Sequence, residues 1–267
     1  MNKRFVLVTG ASSGIGEAIA KQLVKQGDYP ILVARNMEKL QALKRKLKDC
    51  FIYACDVTRE NDVKQMVDAV IRRFGKIDVL INNAGVGEFG GTLDIPLSDY
   101  EKMIDTNYLG AVRLTAHLLP QMLLAGGGRI INIASMAGLT GIPNLAGYCA
   151  SKFALLGFSE SLRMEYSPVI RVGVLCPGPV LTPFFGEKDP AACFPPFIAK
   201  KMLDADTVAR YAVRLIERPR VLVIPRSLRW ALRLRQLCPE LYLFVTRRLY
   251  GSWMGKGRDK ATATING

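Results

Sequence analysis

Histidine is nearly missing from this chain: His117 is the only one among 267 residues. The six cysteines (Cys50, Cys55, Cys149, Cys176, Cys193 and Cys238) are scattered, and no two form a C-x-x-C pair. These shortages argue against a zinc site and leave the thiols as reduced cysteines of a cytosolic protein. No stretch reaches the roughly 18 uninterrupted apolar residues of a membrane-spanning helix. Met1 to Arg4 run straight into the strand-like Phe5-Val6-Leu7-Val8, which leaves no room for a signal peptide, so a cytoplasmic location is expected. Acids are in short supply, 23 Asp and Glu against 37 Lys and Arg, for a formal net charge of +14. The excess is local: between Arg218 and Lys260 stand eleven basic residues and two acids, Glu240 and Asp259. No recognition motif accompanies that charge, which makes nucleic acid the weakest partner class.

What the chain does have is alternation. Apolar runs at Phe5–Thr9, Pro30–Ala34, Phe51–Cys55, Val79–Asn82, Arg129–Ala134, Arg171–Cys176 and Val221–Ile224 read as strands. Helical patterns lie between them at Ile15–Lys25, Met37–Leu47, Glu60–Phe74, Ser98–Leu124, Tyr148–Tyr166 and Asp206–Glu217. This order predicts an α/β fold, a doubly wound parallel sheet of seven strands with helices on both faces. The length suits one large domain, and internal repeats and linkers are absent. One Rossmann-like domain over 1–225 and a basic extension over 226–267 are expected. Ligands of such sheets sit beyond the carboxyl ends of the strands.

The first of those ends carries Thr9-Gly10-Ala11-Ser12-Ser13-Gly14-Ile15-Gly16. Glycines there let the backbone turn sharply and approach a pyrophosphate, and the helix start offers free N–H groups to the anion. The pattern T-G-x-x-x-G-x-G resembles that of the short-chain dehydrogenase/reductase family, and the rest of the chain keeps the likeness. Asn82-Asn83-Ala84-Gly85 resembles the family's N-N-A-G element, and Tyr148-Cys149-Ala150-Ser151-Lys152 its Y-x-x-x-K. Pro177-Gly178-Pro179-Val180-Leu181-Thr182 is similar to the stretch the family lays along the nicotinamide. The likeness spans roughly Lys3 to Ile224. It implies a catalytic tetrad of Asn107, Ser135, Tyr148 and Lys152. It also implies dinucleotide contacts from Gly10, Ser12, Ser13, Gly14, Ile15, Gly16, Asn36, Asp56, Val57, Asn83, Ala84, Gly85, Tyr148, Lys152, Pro177, Gly178, Val180 and Thr182.

The residues explain such chemistry on their own terms. Carbonyl reduction needs a hydride at carbon and a proton at oxygen. Tyr148 is the candidate proton donor, but a free phenol has a pKa near ~10. Lys152 stands one helical turn along the same face, where its ammonium, with the positive charge of the oxidised nicotinamide, would favour the phenolate and lower that value. Ser135, at a strand end, would hydrogen-bond the substrate oxygen. The resemblance adds that Lys152 binds the nicotinamide ribose and that Asn107 holds a water joining it to solvent. Cys149 differs from Tyr148 by about 100° in helical direction and reads as a packing residue; His117, on the long helix and far from the strand ends, reads as structural. After the second strand, where an acid would hold an NAD ribose, the chain reads Ala34-Arg35-Asn36. A guanidinium there can fork onto a 2′-phosphate, so NADP(H) is the expected cofactor, with Arg35 as selector and Lys39 assisting.

The substrate pocket is expected from the loops Val86–Pro96, Met136–Ala146 and Phe184–Met202. The last carries Phe184, Phe185, Phe194, Pro195, Pro196 and Phe197 around Gly186-Glu187-Lys188-Asp189. The aromatics are either a lid for a hydrophobic carbonyl or alcohol compound or packing for the protein and a second subunit. The extension reads as an amphipathic helix, with Arg226, Arg229, Arg233 and Gln236 on one face. Leu228, Trp230, Ala231, Leu232, Leu234, Leu237 and Cys238 lie on the other, and a second helical piece runs from Glu240 to Tyr250. Such a tail packs on its own domain, covers a neighbouring subunit of a homo-oligomer, roofs the active site, or makes peripheral contact with the inner face of a membrane. Three functions fit: carbonyl reductase or the reverse alcohol dehydrogenase, 3-oxoacyl-thioester reductase working on an acidic carrier, or a non-catalytic NADP(H)-binding sensor. The intact tetrad speaks against the last.

Overall fold

The computed structural model describes residues 3–185 and 193–251. Seven parallel strands form the main sheet: β1 Phe5–Thr9, β2 Tyr29–Ala34, β3 Phe51–Ala54, β4 Val79–Asn82, β5 Gly128–Ile133, β6 Ile170–Pro177 and β9 Val221–Ile224. Their order across the sheet is β3-β2-β1-β4-β5-β6-β9. The chain winds one way from β1 to β3 and the other way from β4 onward. The point of reversal lies between β1 and β4, where loops splay apart and leave a crevice.

The strands are apolar at almost every position because both faces are covered. Successive side chains alternate sides. Val6, Val8, Leu32, Ile81 and Ile131 pack with Ile19 and Leu23 of α1 (Gly14–Lys25) and Val208 and Ala212 of α8 (Ala205–Glu217). Leu7, Ile31, Val33, Leu80 and Ile130 pack on the other side against α3 (Glu60–Phe74) and α5 (Gly110–Leu124). Arg4 clamps the foot of β1 with two 2.8 Å bonds to Asp28, and Asp78 accepts the Phe5 N–H at 2.8 Å. His117 is structural, as its position on the helix suggested: its Nε2 lies 2.5 Å from Glu60 of α3.

Two expectations need correction. The continuous helix over Ser98–Leu124 is broken into α4 (Leu97–Ile104), a π-helical turn (Asp105–Leu109) and α5. The Gly110 N–H reaches back five residues to the Asp105 carbonyl. Periodicity could not reveal this, because one extra residue re-phases a helix without changing its composition. The loop expected over Phe184–Met202 also holds a short helix, α7 (Pro196–Ala199), and a second parallel ladder flanks it, pairing β7 (Val180–Leu181) with β8 (Leu203–Asp204). Gly186-Glu187-Lys188-Asp189 lies outside the described residues, as do the side chains of Phe185 and Phe197.

At the end of the described chain, α9 (Leu228–Leu237) leans on the domain through Leu228 and Leu232, which pack against Val174, Leu156 and Val223. The apolar face expected of this helix is only partly used, since Trp230 and Leu237 are exposed. Residues 239–251 form a further helix, α10.

Candidate active site

The loops after β1, β2, β4, β5 and β6 surround one cleft of about 540 Å³. Every site residue expected from sequence lines it except Gly16 and Asn107. Those two sit just behind its wall.

The floor is the glycine turn. Gly10 and Gly14 have φ of +63° and +56°, a region that side chains disfavour. A Cβ on Gly16 would come within 2.3 Å of the Gly10 carbonyl oxygen. Ser13 begins α1 without a side-chain cap, so the first helical amides remain available to an anion. Asn83 holds the turn from across the crevice: its Nδ2 donates to the Thr9 carbonyl at 2.9 Å and the Gly10 carbonyl at 3.3 Å. The Thr9 hydroxyl in turn accepts the Asn83 and Ala84 N–H groups, both at 3.0 Å. Gly16→Ala is therefore expected to lower stability by about 1–3 kcal/mol through overpacking. A thermal melt read alongside dinucleotide titration checks this, with both stability and affinity falling.

At the end of β2, Arg35 and Lys39 are exposed and line the cleft. Among the described residues, no ion pair engages either of them. Asn36 has a second task, since its side-chain oxygen caps α2 (Met37–Leu47) by accepting the Lys39 N–H at 2.8 Å. After β3, Asp56 accepts from the Thr58 N–H and hydroxyl at 3.0 and 2.8 Å, which fixes the turn that carries Val57.

The far end of the cleft brings Ser135, Tyr148 and Lys152 together. Ser135 follows β5, and its Oγ accepts the Ala137 N–H at 3.1 Å. Tyr148 and Lys152 lie on one face of α6 (Ala146–Tyr166), with the ammonium 5.7 Å from the centre of the phenol ring. Lys152 is almost fully buried, and its Nζ donates to the Ile133 carbonyl at 3.0 Å. Burial pulls its pKa down to about 8, opposed by the nearby Cys176. Burial also pushes the Tyr148 phenol up to about 12, against the lesser, lowering pull of the Ser135 hydrogen bond. The expected lowering of the phenol's pKa relied on the nicotinamide's charge as well as on Lys152; in the protein by itself, desolvation of both groups dominates.

Asn107 sits in the π turn. Its Oδ1 accepts the Val86 N–H at 2.7 Å, and its Nδ2 donates to the Val86 carbonyl and to Ser151 Oγ, both at 2.8 Å. Ser151 donates onward to the Tyr148 carbonyl at 2.8 Å. Two groups escaped the sequence reading. Ser151 links the π turn to α6. Asn132 lies within β5, bonded to Asn82 at 2.8 Å and to Ser159 at 2.7 Å, and so ties β4, β5 and α6 through the core. The signal for Asn132 was an amide inside the apolar run Arg129–Ala134.

Aromatic rings build the remaining wall. Phe184 lies 5.3 Å from the Tyr148 ring, and Phe89 makes edge-on contacts with Phe184 and Phe194 at 6.3 and 5.7 Å. Phe194 is buried against Ala137, Leu145 and Cys149. Phe194 thus serves as packing while also lining the cleft with Phe89 and Phe184. Cys149 packs there as expected, its thiol pushed up by burial.

The family model described as short chain dehydrogenase matches residues 4–192. The chain belongs to that family. Short-chain dehydrogenases are oxidoreductases, and solved neighbours of this one carry nicotinamide dinucleotides. Dehydrogenase/reductase SDR family member 7 from Homo sapiens is 42% identical over 185 residues, 66% of this chain but only 55% of the human protein. The chain thus matches about half the length of that relative. A single-substitution variant of actinorhodin polyketide ketoreductase with NADPH superposes with a TM-score of 0.76 at 32% identity, covering 83% of this chain and 95% of that one. A short-chain dehydrogenase/reductase from Burkholderia phymatum in complex with NAD reaches 0.80 at 25% identity, covering 90% and 95%. The glycine cradle, the open start of α1 and the hydroxyl pair beside a buried ammonium fit such a dinucleotide.

Proposed function

We propose that this short-chain dehydrogenase is NADP(H)-dependent and moves a hydride between the nicotinamide and a carbonyl or alcohol carbon of a small hydrophobic substrate. The observation that carries the reading is that Ser135, Tyr148 and Lys152 line the same cleft as the glycine turn, with the ammonium 5.7 Å from the centre of the phenol ring. When bound, the dinucleotide supplies the hydride for reduction or takes it up in oxidation. In reduction, Ser135 holds the carbonyl oxygen and Tyr148 gives it a proton as the carbon gains the hydride. With its pKa pushed up to about 12, the phenol carries the proton at neutral pH but gives it up weakly, so the cation beside it matters. Lys152 stabilises the phenolate left behind. Asn107, fixed by Val86 and Ser151, is a positioning residue for that turn of α6. Phe89, Phe184 and Phe194 favour an apolar substrate body.

Arg35 carries the NADP(H) preference. Its exposed guanidinium lines the cleft where an NAD site would place an acid. Arg35→Asp is expected to weaken NADPH binding on the order of tenfold to a hundredfold, the loss of a charged hydrogen bond. NADH binding should change little. Equal effects on both, measured by fluorescence titration, would contradict the selector role.

The activity itself is tested by NADPH oxidation over ketones, aldehydes and 3-oxoacyl thioesters. Turnover confined to the thioesters would favour the second reading, a 3-oxoacyl reductase. The basic excess and the likeness to a polyketide ketoreductase speak for it. Tight NADPH binding with no turnover across the panel would favour a sensor.

A further inference from the structure

The last two helices turn an unusual side to solvent. Along α10 the inward positions, spaced four apart, are Tyr242, Thr246 and Tyr250. Tyr250 is buried, and the Tyr242 hydroxyl lies 2.9 Å from that of Thr140. Thr140 belongs to the loop after β5, whose Met136, Ala137, Ile142 and Leu145 line the cleft. The outward positions are apolar: Leu241, Leu243, Phe244 and Leu249 are each about half exposed or more. From α9, Trp230 and Leu237 add side chains that are 71% and 80% exposed. A helix that served only its own domain would show the reverse arrangement.

Exposed arginines are interleaved with these side chains: Arg226, Arg229, Arg233, Arg247 and Arg248, against the single acid Glu240 over residues 226–251. The Arg233 guanidinium rests 4.9 Å over the Trp230 ring. This charge selects among the covers such a face can have. A second copy joined about a two-fold axis would set arginines against arginines. An anionic bilayer surface instead takes the cations at its headgroups and the Trp, Leu and Phe side chains just below them. Past the described residues the sequence adds Lys256, Arg258 and Lys260 against Asp259, the same sign.

We propose that the outer face of α9 and α10 docks on an anionic lipid surface with both helices lying in the interfacial plane. Through Tyr242 and Thr140 the docked helix grips the loop that lines the cleft. The proposal concerns binding alone and stands or falls apart from the reaction.

The test is flotation of the full chain with vesicles of phosphatidylcholine, with and without phosphatidylglycerol. Flotation is expected with the mixed vesicles and not with the neutral ones, and it should weaken as salt rises. Arg229→Gln with Arg233→Gln should lower the bound fraction at least about tenfold. Phe244→Ser should lower it independently. Both variants should keep the melting temperature and the NADPH affinity of the parent, while Tyr242→Phe, which spares the outer face, should float as the parent does. Absence of flotation with mixed vesicles, or unchanged flotation in both variants, would overturn the proposal. So would an unbound parent dimer that Phe244→Ser converts to monomer in sedimentation, which would assign the face to a second copy.

Discussion

Replacing Tyr148 by phenylalanine is expected to cut ketone reduction by about 10²–10⁴-fold while NADPH still binds. The ring survives the substitution, and with it the 5.3 Å contact to Phe184 and the packing of the cleft wall. Only the hydroxyl is lost, and it alone can protonate the substrate oxygen beside Ser135. Burial holds that hydroxyl protonated, so nothing else in the triad supplies its proton: Ser135 lacks the acidity, and the Lys152 ammonium is turned to the Ile133 carbonyl. Single-turnover NADPH oxidation together with a binding titration separates the two quantities. A variant that binds NADPH as the parent does and reduces ketones within a few-fold of its rate would remove Tyr148 from the chemistry.

Lys152→Met should do two opposite things. Turnover should fall steeply, because the phenolate loses its cation. The fold, by contrast, should gain stability at neutral pH. An ammonium buried enough to have its pKa drawn from 10.5 to about 8 costs the folded state roughly 3 kcal/mol at most, before the lost bond to Ile133 is counted. The pH dependence has a definite sign. Between about 8 and 10.5 the unfolded chain holds this proton and the folded one does not, so parent stability rises with pH across that window. The advantage of Lys152→Met is therefore full below pH 8 and shrinks above it, which denaturant melts at several pH values will show. The parent's kcat/KM for reduction should be level below about 8 and decline above it as Lys152 loses its charge. A rate that instead rises through that region would show that the neutral amine is the working form.

Much of this architecture could be read in advance because parallel strands covered on both faces are nearly continuous apolar runs, such as Phe5–Thr9 and Val79–Asn82, set between amphipathic helices. The glycine turn and the Tyr148–Lys152 pair were legible for a related reason: each is a local pattern in sequence whose geometry follows from a turn or a helix. What stayed hidden was non-local. That Asn83 reaches across to the Thr9 carbonyl, that Ser151 joins Asn107 to α6, and that Asn132 runs a polar chain through the core all depend on which strands are neighbours. The desolvation of Tyr148 and Lys152 was hidden too, because sequence shows two groups four residues apart but not the water removed from both. The outward face of α10 was hidden because helical periodicity defines two faces without saying which one meets the protein.

The π turn at Asp105–Leu109 has a consequence for how this chain tolerates change in length. It works as an odd tooth in a gear: upstream, α4 packs on α6 and presents Met103 and Tyr100 beside Gly147, and downstream α5 engages α3. An ordinary turn closes with one residue fewer, so removing one of those five would let a plain helix form with α4 and α5 facing nearly as before. What would be lost is the seat of Asn107, whose amide the wide turn aims at Val86 and Ser151. The stretch between Leu97 and Leu124 is thus one residue longer than its packing needs, and the surplus serves the cleft.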